Sequence, residues 1–206
     1  MKDALLPRFV SRWRGSPFGA ETGAPWQVTG RAETLIRAAL ARLAPGYDIS
    51  GEVAVHGSAT IEQGAVVKGP AIIGPGCFVA AGAYLRGGVW LDEACSVGPG
   101  AELKTSFLFR GATLAHLNFV GDSILGADVN LEAGAILANH RNERADKAIR
   151  IRHAGRILDT GIDRFGALVG DGVRIGANAV IAPGALLAPG TVVGRLAHVD
   201  QSPEAG

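Results

Sequence analysis

The sequence is short of aromatic residues, of cysteine and of net charge. Phe, Trp and Tyr make up 6% of its 206 residues, too few to fill thick core layers with rings. The formal net charge is +1, so bulk electrostatics point to neither nucleic acid nor an acidic membrane as partner. The two cysteines, Cys77 and Cys95, belong to no CxxC or Cys/His ligand pattern. A reducing compartment follows most simply. No run approaches the ~18 apolar residues of a membrane span. The opening segment MKDALLPRFVSRWRGSPFGA is interrupted by Pro7, Arg8, Arg12 and Arg14, and does not read as a signal peptide. A soluble, cytoplasmic protein is expected.

What the sequence has instead is glycine, 30 residues of it, and aliphatic side chains on a beat. Stepping by six from Ile49 gives Val55, Ile61, Val67, Ile73, Val79, Leu85, Leu91, Val97 and Leu103. With Ile, Leu and Val at about a quarter of positions, ten in succession arise by chance on the order of once in a million. Four residues after each beat stands a second set: Val53, Ala59, Ala65, Ala71, Cys77, Ala83, Val89, Cys95 and Ala101. These are small or β-branched, and Gly-Pro-Gly turns separate them at 74–76 and 98–100. Both cysteines fall on the small position and read as core.

A period of six fits neither a helix nor a hairpin meander. It fits a prism-shaped parallel β-helix in which each flat face takes one hexad and three hexads close a coil. Large aliphatics stack inside, small residues fit the corners, and glycine supplies the turns. The beat runs on through Phe109, with Thr113 as its partner, and resumes in a new phase at Phe119, Leu125, Leu131 and Leu137. Residues 115–118 therefore read as a four-residue insertion that isolates His116. After Asn142 the beat breaks, then returns at Val169, Ile175, Ile181, Leu187 and Val193. The total is roughly twenty hexads, or between six and seven coils.

The expected organisation is an N-terminal extension at 1–48, a β-helix at 49–195 with a long loop at about 143–168, and a flexible tail at 196–206. Within the extension, AETLIRAALARLA (32–44) places Leu35, Ile36, Ala39, Leu40 and Leu43 on one helical stripe. It is expected to cap the open end of the coil. A β-helix side is flat, so a site is expected at the break in the beat, at the loop or against a second subunit.

The run AELKTSFLFRGATLAHLNFVGDSILGADVNLEAGAILANHR (101–141) carries a His-Leu-x-aromatic-x-Gly-Asp motif at 116–122, then Asn130 to Gly134, then Asn139. It resembles the acetyltransferase domain of the bifunctional N-acetylglucosamine-1-phosphate uridyltransferase/glucosamine-1-phosphate N-acetyltransferase family. The likeness covers about 50–195, and PFGAETGAPWQV (17–28) is similar to single-chain relatives of that enzyme. With 48 residues ahead of the coil, no attached nucleotidyltransferase domain is expected. The resemblance implies a single-stranded left-handed β-helix, all-β but for the short helical cap. It implies a homotrimer with sites between subunits, and acetyl-CoA as acyl-donor substrate with no metal.

The resemblance also assigns residues. His116 becomes the general base, a role suited to imidazole because an amine must lose a proton as it attacks a thioester. Arg86 and Lys104 match a phosphate-binding pair. They are three hexads apart, which stacks them in adjacent coils. Phe119, Asn130 and Asn139 match sugar-contacting positions; amide side chains both donate and accept. Ala133 and Arg164 match positions facing the acyl donor, and the Ala133 N–H could hold an oxyanion. Asp122 reads as fixing its turn. The excursion adds Arg141, Arg144, Lys147, Arg150, Arg152, His153 and Arg156, read either as contacts to CoA phosphates or the acceptor, or as a solvated loop. Phe119 stands where Tyr is common in the family, and His140-Arg141-Asn142 where Tyr-Asp-Gly is. These departures leave the amino sugar unspecified.

The expected function is acetyl-CoA-dependent N-acetylation of a phosphorylated or nucleotide-linked amino sugar. The rival is a non-catalytic β-helical subunit that binds a sugar nucleotide as regulator or scaffold. Zinc held by three histidines, as in β-helical carbonic anhydrases, is disfavoured: among His56, His116, His140, His153 and His198 the close pair of that family is missing.

Overall fold

The computed structural model describes residues 5–203. The chain winds as a single-stranded left-handed parallel β-helix. Its second face stacks Thr60–Ile61, Phe78–Val79, Ser96–Val97, Thr113–Leu114, Asn130–Leu131, Arg174–Ile175 and Val192–Val193. The first and third faces have seven rungs each as well, so the described residues make seven coils. The long strands Tyr84–Leu91 and Glu102–Leu108 run round a corner and serve both of those faces.

One large aliphatic per rung points inward. The third face gives Val67, Leu85, Leu103, Val120, Leu137, Ile181 and Val199. Cys77 and Cys95 are buried among the small corner residues, as the beat required. Excluding water from these ladders is the main stabilising term, about 1.5–3 kcal/mol for each large aliphatic fully buried.

Two expectations about the beat are corrected. The interior begins at Val55, because Ile49 is 58% exposed. Strand β1 (Tyr47–Ser50) does not join the coil; it pairs antiparallel with β2 (Val53–His56) along the free edge of the first rung. Nor is there a four-residue insertion at 115–118. The interior runs Leu103, Leu108, Leu114, Val120, Leu125, Leu131, Leu137, with two steps of five. Phe109 belongs to an outer layer, and Phe119 alternates with the inward Val120. Both shortened steps cross the corner between the third and first faces. There Thr105 (φ 54°) and Asp122 (φ 45°) turn the chain in one residue. Buried hydroxyls meet the backbone groups that the short corner would strand. Ser106 Oγ donates to the Lys104 carbonyl (2.8 Å) and accepts the Ser123 N–H (3.2 Å). Ser123 Oγ donates to the Gly121 carbonyl (2.7 Å) and accepts the Ala167 N–H (3.0 Å).

The N-terminal segment lies along the side of the coil, on the first face, rather than over its open end. The outward residues of that face, Ile72, Trp90, Phe107, Ile124, Leu168 and Leu186, form a second apolar core with Phe9, Trp13, Phe18 and Trp26. Helices α1 (Leu5–Phe9), α2 (Pro25–Thr29) and α3 (Ala32–Leu40) belong to this layer. The stripe read on α3 is the buried one: Ile36 and Ala39 are enclosed. Gly88 (φ 90°) permits the approach, since a Cβ there would stand 2.9 Å from the Glu33 nitrogen. Phe18 packs edge-on against Trp90 and Phe107 at 5.2 and 4.9 Å.

The excursion leaves after Asn139, forms an antiparallel hairpin of Arg150–His153 and Arg156–Asp159, and rejoins at Ala167. Its root is tied to the far end of the chain. Arg141, 1% exposed, gives Asp200 hydrogen bonds of 3.0 and 2.7 Å and reaches the Pro183 carbonyl at 2.9 Å. Asp200 and Ser202 are thus structural: both bond to side chains at the root of the excursion.

Phe18→Ala should cost about 3 kcal/mol or more in denaturant unfolding, as rings lost from enclosed sites do; an unchanged midpoint would show that the segment is not docked. Burial pushes the Asp200 carboxyl up, but the Arg141 guanidinium and the Ser202 N–H outweigh it and hold it at about 2. A carboxyl depressed in the folded state contributes stability above its unfolded value, near 4, that is lost as pH falls toward 2. Asp200→Asn should therefore lower stability by about 2 kcal/mol at pH 7 and flatten the acid limb between pH ~4 and ~2. Urea midpoints against pH read both effects.

Candidate functional site

The corner between the second and third faces carries His116. Its backbone is fixed from both sides: Leu117 N–H reaches the Pro99 carbonyl (3.0 Å) below, and Gly134 N–H reaches the His116 carbonyl (2.9 Å) from above. Asn118 turns inward and locks the corner, its amide nitrogen donating to the Glu132 (2.8 Å) and Ala135 (3.2 Å) carbonyls. The His116 ring is left exposed, with no hydrogen-bond partner among the described residues. Ala133 is the next residue up the same corner, and its N–H has no acceptor among the described residues. An imidazole with free nitrogens and a free backbone N–H at one corner supply a proton acceptor and an oxyanion donor.

The other corner of the third face gathers a polar cluster. Arg86, Lys104 and Gly121 are register partners on successive rungs, the stacking that their spacing implies. Each cation has a carboxylate. Arg86 contacts Glu102 at 2.8 and 2.6 Å and lies 5.8 Å from the Tyr84 ring centroid. Lys104 Nζ donates to both oxygens of the buried Asp122 at 2.9 Å. The Asn139 amide nitrogen donates to Asp122 as well. With its nitrogen donating to a carboxylate, Asn139 has its side-chain carbonyl oxygen left to accept. Gly121 makes the room: a Cβ there would come within 2.7 Å of the Asn139 amide and 2.9 Å of the Phe119 ring. Phe119 thus lies on the face between the cluster and the His116 corner.

Two residues fall elsewhere. Asn130 is exposed on the second face, between Thr113 and Arg174, and opens on a cavity of about 300 Å³ beside the Glu132–Arg195 ion pair. Within one subunit it does not meet Asn139. Arg164 is exposed and precedes Phe165, whose N–H reaches the Asn139 carbonyl at 3.1 Å; it stands at the Asn139 corner, not beside Ala133.

Asp122 does more than hold its turn; it bridges Lys104 and Asn139. The available signal was spacing, 18 residues back to Lys104 and 17 on to Asn139, one coil each way. Of the excursion's cations, Arg141, Arg144, Lys147 and Arg152 bond to neighbouring side chains or carbonyls of the chain, and Arg150 pairs with Asp146.

Gly121→Ala should displace Asn139 and Phe119 and cost about 1–3 kcal/mol of unfolding free energy, the range for overpacking. A neutral substitution would mean that the two side chains do not meet over Gly121.

No protein-family model matches the chain. It is 32% identical over 135 residues to a bifunctional sugar-1-phosphate nucleotidylyltransferase/acetyltransferase of Sulfurisphaera tokodaii, covering 66% of this chain and 33% of that one. It is 29% identical over 196 residues to the bifunctional protein GlmU of Methanococcus vannielii, covering 89% and 45%. It is 28% identical to the putative acetyltransferase YaiX of Escherichia coli, covering 77% and 68%. A hexapeptide transferase family protein of Anaplasma phagocytophilum aligns with a TM-score of 0.40 at 17% identity over 69% of this chain and 70% of that one. The chain spans a third to a half of the length of the bifunctional relatives. It is a hexapeptide-repeat β-helix homologous to these bifunctional sugar-phosphate nucleotidylyl- and acetyl-transferases.

Proposed function

We propose that the chain transfers an acetyl group from acetyl-CoA to the amine of a phosphorylated amino sugar. The observation that carries this reading is a His116 side chain and, one coil on at the same corner, an Ala133 N–H, neither with a hydrogen-bond partner among the described residues.

The acceptor lies along the third face. Its phosphate meets Arg86 and Lys104, which hold it by charge-assisted hydrogen bonds in competition with Glu102 and Asp122. The Asn139 carbonyl oxygen accepts from a sugar hydroxyl or N–H, and the Phe119 ring supports the apolar side of the sugar. His116 takes a proton from the amine as the nitrogen attacks the thioester carbon. The carbonyl oxygen becomes an oxyanion facing the Ala133 N–H. Collapse forms the amide, breaks the C–S bond and expels the CoA thiolate, which recovers the proton from His116. No covalent enzyme intermediate is required. A flat face leaves the acceptor open on one side; a second copy of the chain in a homotrimer would supply the missing wall and bring Asn130 and Arg164 into range.

The test is release of CoA thiol from acetyl-CoA across a panel of amino-sugar phosphates. His116→Ala should lower turnover by about 10²–10⁴-fold, the usual contribution of a positioned general base, with acceptor binding retained. Turnover unaffected by the substitution would remove His116 from the mechanism. A folded protein that binds a sugar nucleotide yet turns over no acceptor would favour the non-catalytic subunit.

A further inference from the structure

On the outside of the first-face layer, α1 and the loop before α2 meet the hairpin of the excursion. Between them lies a cavity of about 610 Å³. That volume is within the range of small-molecule sites, which are concave and mostly apolar with a few convergent polar groups. The walls here are Leu5, Trp26, Ile157 and Leu158. Trp26 is enclosed, its ring 5.9 Å from that of Phe165, so this side is rigid. Ile157 is 60% exposed, an aliphatic side chain left in water at the cavity mouth.

The rim is cationic. Arg8 and Arg156 both line the cavity, and neither has an ion-pair or hydrogen-bond partner among the described residues. This sets them apart from Arg86 and Lys104, each already held by a carboxylate. His153 adds an imidazole, packed against Phe9 at 6.3 Å. The one acid, Asp159, already accepts the Gly161 N–H at 3.0 Å and stands opposite Arg150 in the hairpin. Two unpaired guanidiniums over an apolar floor match a dianionic head on an apolar body, because guanidinium grips phosphate oxygens in pairs.

We propose that this cavity is a second ligand site, distinct from the third face, for a phosphate monoester carrying an aromatic or other apolar body. The phosphate sits between Arg8 and Arg156, and the body rests on Trp26, Leu158 and Ile157. The inference stands independently of acetyl transfer, since none of these residues belongs to the proposed acetylation site.

Titration calorimetry with phenyl phosphate tests it, on the full chain. One saturable site per subunit is expected, with inorganic phosphate and phenol each binding more weakly than phenyl phosphate. Arg156→Ala, at an exposed hairpin position, should weaken binding about ten-fold, the loss of one charge-assisted contact, and Arg156→Lys should lose less. Ile157→Asp should weaken it further by placing a carboxylate at the mouth. Arg86→Ala should leave this binding unchanged. Absence of saturable binding would overturn the proposal. So would binding that Arg86→Ala abolishes and Arg156→Ala leaves intact, because the phosphate would then be on the third face.

Discussion

Three aliphatic side chains per coil must meet on the axis of this β-helix, and that requirement governs everything outside it. An inward residue comes once per face, so the chain between two of them has almost no freedom in length. Any change has to be absorbed at a corner. At Ser106 and Ser123 one residue is dropped, and a buried hydroxyl takes over the backbone groups left without partners. The turn that accompanies each short step puts Thr105 and Asp122 at positive φ. Asp122 is thereby aimed back between Lys104 and Asn139. The polar cluster follows from how the coil closes.

The same economy explains the two layers. A β-helix face is as able to pack outward as inward, and the first face does both. Ile72, Trp90, Phe107, Ile124, Leu168 and Leu186 project from it into the N-terminal segment and the excursion. That burial removes the first face from any role in recognition and leaves the second and third available. It also gives the excursion a base to stand on, reinforced by the Arg141–Asp200 pair across 59 residues. Its hairpin is therefore a wall, which packs on α1 through His153 and Phe9 and lines the apolar cavity together with Leu5 and Trp26.

Much of this was legible in the sequence. The period of six fixes strand, corner and interior position together, because only one side of an extended strand faces the axis. The 18-residue interval from Arg86 to Lys104 became a register pair for the same reason. The beat misled where an apolar residue points outward. Phe109 and Phe119 fit a hydrophobic pattern, but their partners are Trp13, Trp90 and Gly121, none of which a one-dimensional pattern exposes. Ile49 continued the beat by type while β1 ran antiparallel. The Asp122 bridge and the Arg141–Asp200 pair are side-chain choices among several possible partners, decided by corner geometry and burial. Asn130 and Asn139 looked alike in a motif and stand on different faces, since nine residues span one and a half hexads.

In the proposed reaction the third face, between the Lys104 and His116 corners, holds the phosphate of an acceptor while its amine is acetylated. Comparing kcat/KM of the wild type and Lys104→Ala on one amino sugar with and without its phosphate tests this most directly. The expected result is a loss confined to the phosphorylated acceptor, about ten-fold or more for one charge-assisted contact. An equal loss on both acceptors, or none on either, would contradict it.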